Sequence, residues 1–170
     1  FGVSSIKYYL CDGVVKGVYK ENNPMYAYKV YDRFKIYRPL ADKYTKWRNN
    51  LTPYDIQGYE QLPKKGDLLI ITKSMKDVMC LYEMGYTAIS PASESTFLTP
   101  DVIDALKLRF KRILICFDRD VPGVKNMRKI SLKTGLNGFL VHKKFQSKDI
   151  SDAIKNNGFE VIKNWLKETL

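Results

Sequence analysis

Histidine occurs once in the 170 residues and cysteine three times, and that scarcity narrows the chemistry. Cys11, Cys80 and Cys116 lie far apart with no C-x-x-C spacing, and two of them fall inside apolar segments where cysteine behaves as a small hydrophobe. Neither a disulfide framework nor a zinc site is expected. His142 ends an apolar, strand-like run and reads as structural rather than catalytic. No apolar run approaches the ~20 residues needed to span a bilayer, and the first residues do not read as a signal peptide, so no membrane partner is expected. Internal repeats and low-complexity tracts are missing. Acid is in short supply as well: 18 acidic residues against 29 basic ones leave a formal charge of +11. A surplus of that size favours a polyanionic partner, because every neutralised phosphate releases counterions, although charge also serves solubility alone. The apolar fraction is that of an ordinary globular protein, and the length allows one good core or two small ones. The lack of a membrane-spanning run and of a signal peptide reads as an intracellular chain, and a first residue of Phe rather than Met as a fragment of something longer.

What is present falls into two rhythms. Residues 1–66 are aromatic and basic. Met25 to Tyr31 and Phe34 to Arg38 are β-like stretches flanking Asp32-Arg33 and predict a tight hairpin, with Val14 to Tyr19 as a third strand. The strip from Arg33 to Arg48 carries Arg33, Lys35, Arg38, Lys43, Lys46 and Arg48 against a single acid, Asp42, with Phe34, Tyr37, Tyr44 and Trp47 interleaved. Cations for phosphates and rings for unstacked bases are what single-stranded nucleic acid requires. Tyrosine and lysine alternating along a half-buried sheet would give the same string. Leu51 to Lys65 reads as an irregular crossing, and Lys64-Lys65-Gly66 as the boundary between a small β-rich subdomain, 1–66, and a second domain, 67–170.

Beyond Gly66 strands and helices alternate. Leu68 to Thr72 is a buried strand; Ser74 can cap a helix over Met75 to Met84, ended by Gly85. Tyr86 to Ser90, Ile113 to Phe117 and Phe139 to His142 are further strands. Thr99-Pro100 opens a helix to about Phe110, Pro122 to Thr134 is stopped by Gly135, and Ile150 to Asn156 and Phe159 to Lys167 are the last helices. This order predicts an α/β fold, a parallel four-stranded sheet with right-handed crossovers and helices on both faces. Asp118 and Asp120 follow the unalternating run Ile113 to Phe117. In an extended chain residues two apart point the same way, which would aim both carboxylates at the carboxyl edge of the sheet, where open α/β sheets bind ligands. Paired carboxylates call for a shared proton or a divalent cation, and Mg²⁺ suits all-oxygen ligands. The alternative is structural: one Asp starting a turn, the other capping the next helix.

Three stretches carry a resemblance: Ile70-Ile71-Thr72-Lys73-Ser74-Met75-Lys76-Asp77, Phe117-Asp118-Arg119-Asp120-Val121-Pro122-Gly123, and Lys148-Asp149-Ile150-Ser151-Asp152. Together they resemble the TOPRIM domain of DnaG-type primases, topoisomerases and related nucleases. In that family a first strand ends in Glu-Gly with an Asp four residues after the Glu, a later strand ends in Asp-x-Asp followed by a Gly, and another Asp comes further on. Upstream, Lys35-Ile36-Tyr37-Arg38-Pro39-Leu40, Lys46-Trp47-Arg48-Asn49 and Gln57-Gly58-Tyr59-Glu60 are more loosely similar to the basic subdomain that precedes TOPRIM in primases, particularly phage-type ones. Such primases usually also carry a zinc-binding module and a helicase or helicase-interacting part, neither of which is in these residues.

The resemblance implies synthesis of short RNA primers on single-stranded DNA by two-metal nucleotidyl transfer, in the cytoplasm of a bacterial cell, from a bacterial or phage gene. Asp118, Asp120 and Asp149 would hold Mg²⁺ or Mn²⁺. Lys73, Lys76 and Lys125 would contact phosphates, and Arg33, Lys35, Arg38, Lys43, Lys46, Trp47 and Arg48 the nucleic acid. Arg119 is expected in a salt bridge. Template, ribonucleoside triphosphates and a replicative helicase are the implied partners. One departure from the family matters. Lys73 stands where the Glu is expected and cannot ligate a metal, leaving Glu94, in the loop after the second strand, to return a carboxylate to the same edge. The same acids would serve a TOPRIM nuclease, and a weakened site would leave a module that binds single-stranded DNA or a helicase.

Overall fold

Tyr26–Val30 and Arg33–Tyr37 mix buried with exposed side chains, as half-buried antiparallel strands do. The computed structural model describes every residue except 1, 12, 13, 19 and 94–96. It divides the chain into two units, Phe1–Asp55 and Ile56–Leu170. In the first, β1 (Val3–Ser5), β4 (Tyr26–Val30), β5 (Arg33–Tyr37) and β6 (Trp47–Asn49) form an antiparallel sheet in the order β1-β4-β5-β6. The turn joining β4 to β5 is Tyr31-Asp32, one place earlier than expected, with Tyr31 at φ 55°. The strand expected at Val14 to Tyr19 exists as β3 (Val14–Val18), but it pairs with β2 (Tyr8–Cys11) in a separate hairpin rather than with β4 or β5.

The second unit is built on β8 (Gly66–Thr72), β9 (Thr87–Pro91), β10 (Phe110–Cys116) and β11 (Asn137–Phe139), all parallel. The order is β11-β10-β8-β9-β7, in which β7 (Ile56–Gln57) pairs antiparallel with β9. This fifth strand is the addition to the four expected. Gln57 also donates through Nε2 to the Pro91 carbonyl at 2.6 Å, which ties residues 56–57 to the second unit and puts the division ahead of Lys64-Gly66. The helices are α1 (Met75–Glu83), α2 (Pro100–Arg109), α3 (Val121–Thr134), α4 (Ile150–Asn157) and α5 (Phe159–Thr169). Ser74 caps α1, accepting from the Asp77 N–H, and Gly135 ends α3 at φ 72°.

Leu69, Ile71, Ile89, Ile115 and Phe117 meet Ile103 and Leu106 of α2 in one continuous core. Ile70, equally buried, points to the other face by alternation, so the central strand is apolar without a break because both faces are covered. The last strand is shorter and earlier than the expected Phe139 to His142: His142 accepts from the Lys144 N–H and starts a 3-10 turn over Lys143–Phe145. Among the described residues no helix is long and apolar enough to cross a membrane, and Cys80 and Cys116 are free thiols.

Leu106 has no exposed surface. Leu106→Ala should lower unfolding free energy by about 2–5 kcal/mol in urea titration; a change under about 1 kcal/mol would mean that the α2 face of the core does not carry the fold.

Candidate active site at the carboxyl edge of the sheet

Strands β8 and β10 are neighbours in register, Thr72 opposite Cys116, so the residues that follow them leave the same edge side by side. Lys73 directly follows β8, and Asp118 is the second residue after β10. Their side chains are 8% and 12% exposed, and Lys73 Nζ lies 3.7 Å from Asp118 Oδ2. Burial pushes the Asp118 carboxyl above its usual range, Lys73 pulls it back, and Asp149 and Asp120 push it up again. Asp118 therefore feels the charge of acids from two connections, the one after β10 and the one before α4.

Two of the three also hold helices. Asp120 is the N-cap of α3, its Oδ1 accepting from the Gly123 N–H at 2.7 Å. Asp149 is the N-cap of α4, its Oδ1 accepting from the Asp152 N–H at 2.7 Å and the Ser151 hydroxyl at 2.9 Å. Each cap uses Oδ1 and leaves Oδ2 outside these bonds. The Arg119 N–H donates to the Lys148 carbonyl at 2.7 Å, drawing the segment before α4 against the end of β10. The Arg119 guanidinium donates through Nε to the Val141 carbonyl; among the described residues it makes no ion pair, because its neighbour on that side is a backbone carbonyl.

Asp77, four residues after Lys73, is the buried hub behind this edge. It accepts from the Ser74 hydroxyl at 2.8 Å and the Ser151 N–H at 2.9 Å, joining the first turns of α1 and α4. Burial, then the charge of Asp149, pushes its carboxyl up to about 6. Lys76 Nζ donates to the Ser151 hydroxyl at 3.3 Å. Burial opposes the charge on Lys148, yet Asp149, Asp118, Asp152 and Asp120 together hold its ammonium above the usual range. Lys148 and the hub role of Asp77 escaped the sequence reading, although both stood in the quoted motifs. Lys125 is exposed on α3, and Glu94 lies outside the described residues.

The donor set is all oxygen and anionic, which fits a hard divalent cation. Among the described residues, however, no group of three or more His, Cys, Asp or Glu side chains is gathered to hold a metal ion. The cation beside Asp118 is Lys73.

In the first unit, alternation distributes the basic strip over both faces of the sheet. Lys35 and Tyr37 share a face with Trp47: the Tyr37 and Trp47 rings stack at 4.3 Å, Lys35 Nζ lies 5.1 Å from the Trp47 ring and Lys46 Nζ 5.9 Å from that of Tyr37. Arg33 is tied to Asp55 at 3.2 Å. On the other face a cleft of about 650 Å³ is lined by Tyr8, Tyr9, Phe34, Arg38 and Arg48, among others. Arg48 donates to the Tyr44 and Trp47 carbonyls, whereas Arg38 Nε is buried with no hydrogen-bond partner among the described residues. Lys43 is exposed in the turn after β5.

A parallel sheet with helices on both faces, and acids from two connections converging on its carboxyl edge, places those acids where open α/β sheets bind ligands. The chain belongs to the Toprim-like family, whose profile matches residues 70–154, half of its length. No curated protein matches it in sequence. In fold it is similar to the DnaG primase catalytic domain bound to ssDNA, with 17% identity, TM-score 0.62, and 86% of this chain and 51% of that one covered. A DNA primase domain from Pseudomonas aeruginosa matches at 15% identity and TM-score 0.62, over 96% of this chain and 56% of that one. The primase fragment of the bacteriophage T7 primase-helicase protein matches at 13% identity and TM-score 0.59, over 90% and 66%. The chain thus has the fold of a primase-type TOPRIM module and spans about half the length of the DnaG catalytic domain.

Two tests follow from the geometry. A Cβ on Gly123 would lie 2.3 Å from the Asp118 carbonyl oxygen and 2.9 Å from Asp120 Oδ1. Gly123→Ala should therefore cost about 1–3 kcal/mol in denaturant, by prying α3 off the end of β10; unchanged stability would show that the two can separate freely. Asp77 binds its proton more tightly folded than unfolded. Its contribution to stability is therefore full below its ordinary 3.8 and is lost as pH rises through about 6. Asp77→Asn removes the titration, and its melting temperature should fall less than wild type's across that window; parallel profiles would mean that Asp77 does not titrate there.

Proposed function

We propose that this chain is the catalytic core of a DNA primase, joining ribonucleotides into short RNA primers on single-stranded DNA during replication. Membership of the Toprim-like family and the fold of the DnaG catalytic domain support the class. The observation that carries the reading is the position of Asp118 at the carboxyl edge of the sheet, 3.7 Å from the buried Lys73 and within the charge of Asp149 and Asp120.

In that reaction a 3′-hydroxyl attacks an α-phosphate and pyrophosphate leaves, so negative charge must be held steady as it shifts between oxygens. Asp118, Asp120 and Asp149 would hold Mg²⁺ or Mn²⁺, which when bound would supply neutralising charge at the phosphate. The chain's own cations do the rest. Lys73 balances Asp118 and faces the edge where phosphate would enter, with Lys76 and Lys148 flanking the α4 side. The caps fix Asp120 and Asp149 in place, which is preorganisation supplied by backbone N–H groups. Template would lie in the first unit's cleft, where Tyr8 and Phe34 are exposed for stacking and Arg38, whose Nε has no partner among the described residues, can take a phosphate. A replicative helicase partner and a place in the bacterial cytoplasm belong to the same reading.

The buried Lys73–Asp118 pair favours a second reading, a TOPRIM module that binds single-stranded DNA or a helicase without catalysis. Calorimetric titration with Mn²⁺ separates them: binding that disappears in Asp118→Asn supports the enzyme.

Asp120→Asn is the direct test, because Asn caps helices about as well as Asp and should leave α3 and the melting temperature intact. Primer elongation on a labelled single-stranded template should drop to background. Undiminished elongation would remove Asp120 from the chemistry, and shortening of the labelled strand by wild type would make the protein a nuclease.

A further inference from the structure

Helices α2 and α3 do not close against each other along their length. Between them lies a cleft of about 540 Å³ that starts at Lys73 and Phe117, at the carboxyl edge of the sheet, and runs toward the carboxyl ends of both helices. Its floor is apolar, with Phe97, Ile103 and Ile130 set against the core. Its α3 wall carries Asn126, Lys129 and Lys133, which fall on one helix face at spacings of three and four.

Each of these wall residues is uncommitted. The Asn126 amide makes no hydrogen bond among the described residues, and neither Lys129 nor Lys133 pairs with a carboxylate among them. Among the described residues that line it the one acid is Asp104, which is engaged by Lys107 at 3.5 Å. The cleft therefore offers an apolar slot beside a partly exposed phenyl ring, an amide able both to donate and to accept, and two cations one turn apart.

We propose that this cleft binds a nucleoside phosphate, with the base on Phe97, Ile103 and Ile130, its edge read by Asn126, and the phosphate on Lys129 and Lys133. An aromatic ring system fits the slot, its polar edge needs a paired donor and acceptor, and its anion needs the lysines. The volume lies within the roughly 300–1,000 Å³ of small-ligand pockets, whereas a docked helix, about 10–12 Å across, needs a broader groove. The site goes beyond the primer-synthesis reading, since it uses none of Asp118, Asp120 and Asp149 and calls for no metal.

The test is titration of the full chain with AMP in EDTA, without template, followed by calorimetry. Saturable one-to-one binding is expected, about tenfold or more weaker in the Lys129→Ala/Lys133→Ala double variant. Asn126→Ala should weaken AMP binding while leaving the melting temperature unchanged. Inorganic phosphate should bind far more weakly than AMP. No saturable binding, an unaffected double variant, or phosphate binding as tightly as AMP would each overturn the proposal. None of these outcomes depends on primer synthesis, so the two readings can fail separately.

Discussion

The carboxylate of Asp118 leaves the end of β10 with little water around it, and what makes its charge tolerable there is the ammonium of Lys73, 3.7 Å away at the end of the neighbouring strand. Removing either partner would strand a charge in a poorly hydrated place, which costs far more than an intact exposed pair contributes. Much of the surrounding edge is arranged around that accumulation of acid. Asp120 and Asp149 rest on the positive ends of α3 and α4, and Lys148 is held charged by four carboxylates. Asp77, the most deeply buried, yields by moving its titration toward neutrality.

The alternation of strand and helix was legible because each period was strong and each boundary carried its own chemistry: Ser74 capping α1, Pro100 opening α2, Gly135 closing α3 in the left-handed region. What escaped was short or tertiary. The strand β7 is two residues long, below any periodic signal, and exists because the edge of β9 is available to it. The stretch before His142 is as apolar as a strand, yet β11 ends at Phe139, because Val141 is buried while His142 turns to cap the following 3-10 turn. Lys148 and Asp77 acquire their importance only when α1 and α4 are packed start to start, an event with no local signature.

The basic strip of the first unit shows a different limit of sequence. Composition gave its cations and rings correctly, but a strand's period of two assigns neighbours to opposite faces, so a string that reads as one surface becomes two. Tyr37 and Trp47 stack on each other beneath Lys35 and Lys46, and Arg33 is spent on Asp55; these are structural commitments of one face. Phe34, Arg38 and the two tyrosines of β2 line the other, and there the open space lies. Tyr8 and Tyr9 come from a hairpin distant in sequence, which no reading of the strip alone could have added.

The Asp-x-Asp step offers two interpretations, site or helix cap, and the cap geometry makes them compatible. A carboxylate has two oxygens and about four lone-pair sites, while a cap needs one. At Asp120 and Asp149 the N–H groups of a helix's first turn hold Oδ1 in a fixed direction, and the remaining oxygen is thereby oriented without any side-chain partner having to be recruited. A helix start thus does for these acids what an outer-shell hydrogen bond does for a ligating histidine. It also accounts for the glycine three residues after Asp120: the cap brings the Gly123 backbone against the Asp118 carbonyl, closer than any side chain would allow. The spacing of the motif is then the spacing of one capped turn, and an acid lost from it would be lost to fold and site together unless the replacement, like asparagine, still caps.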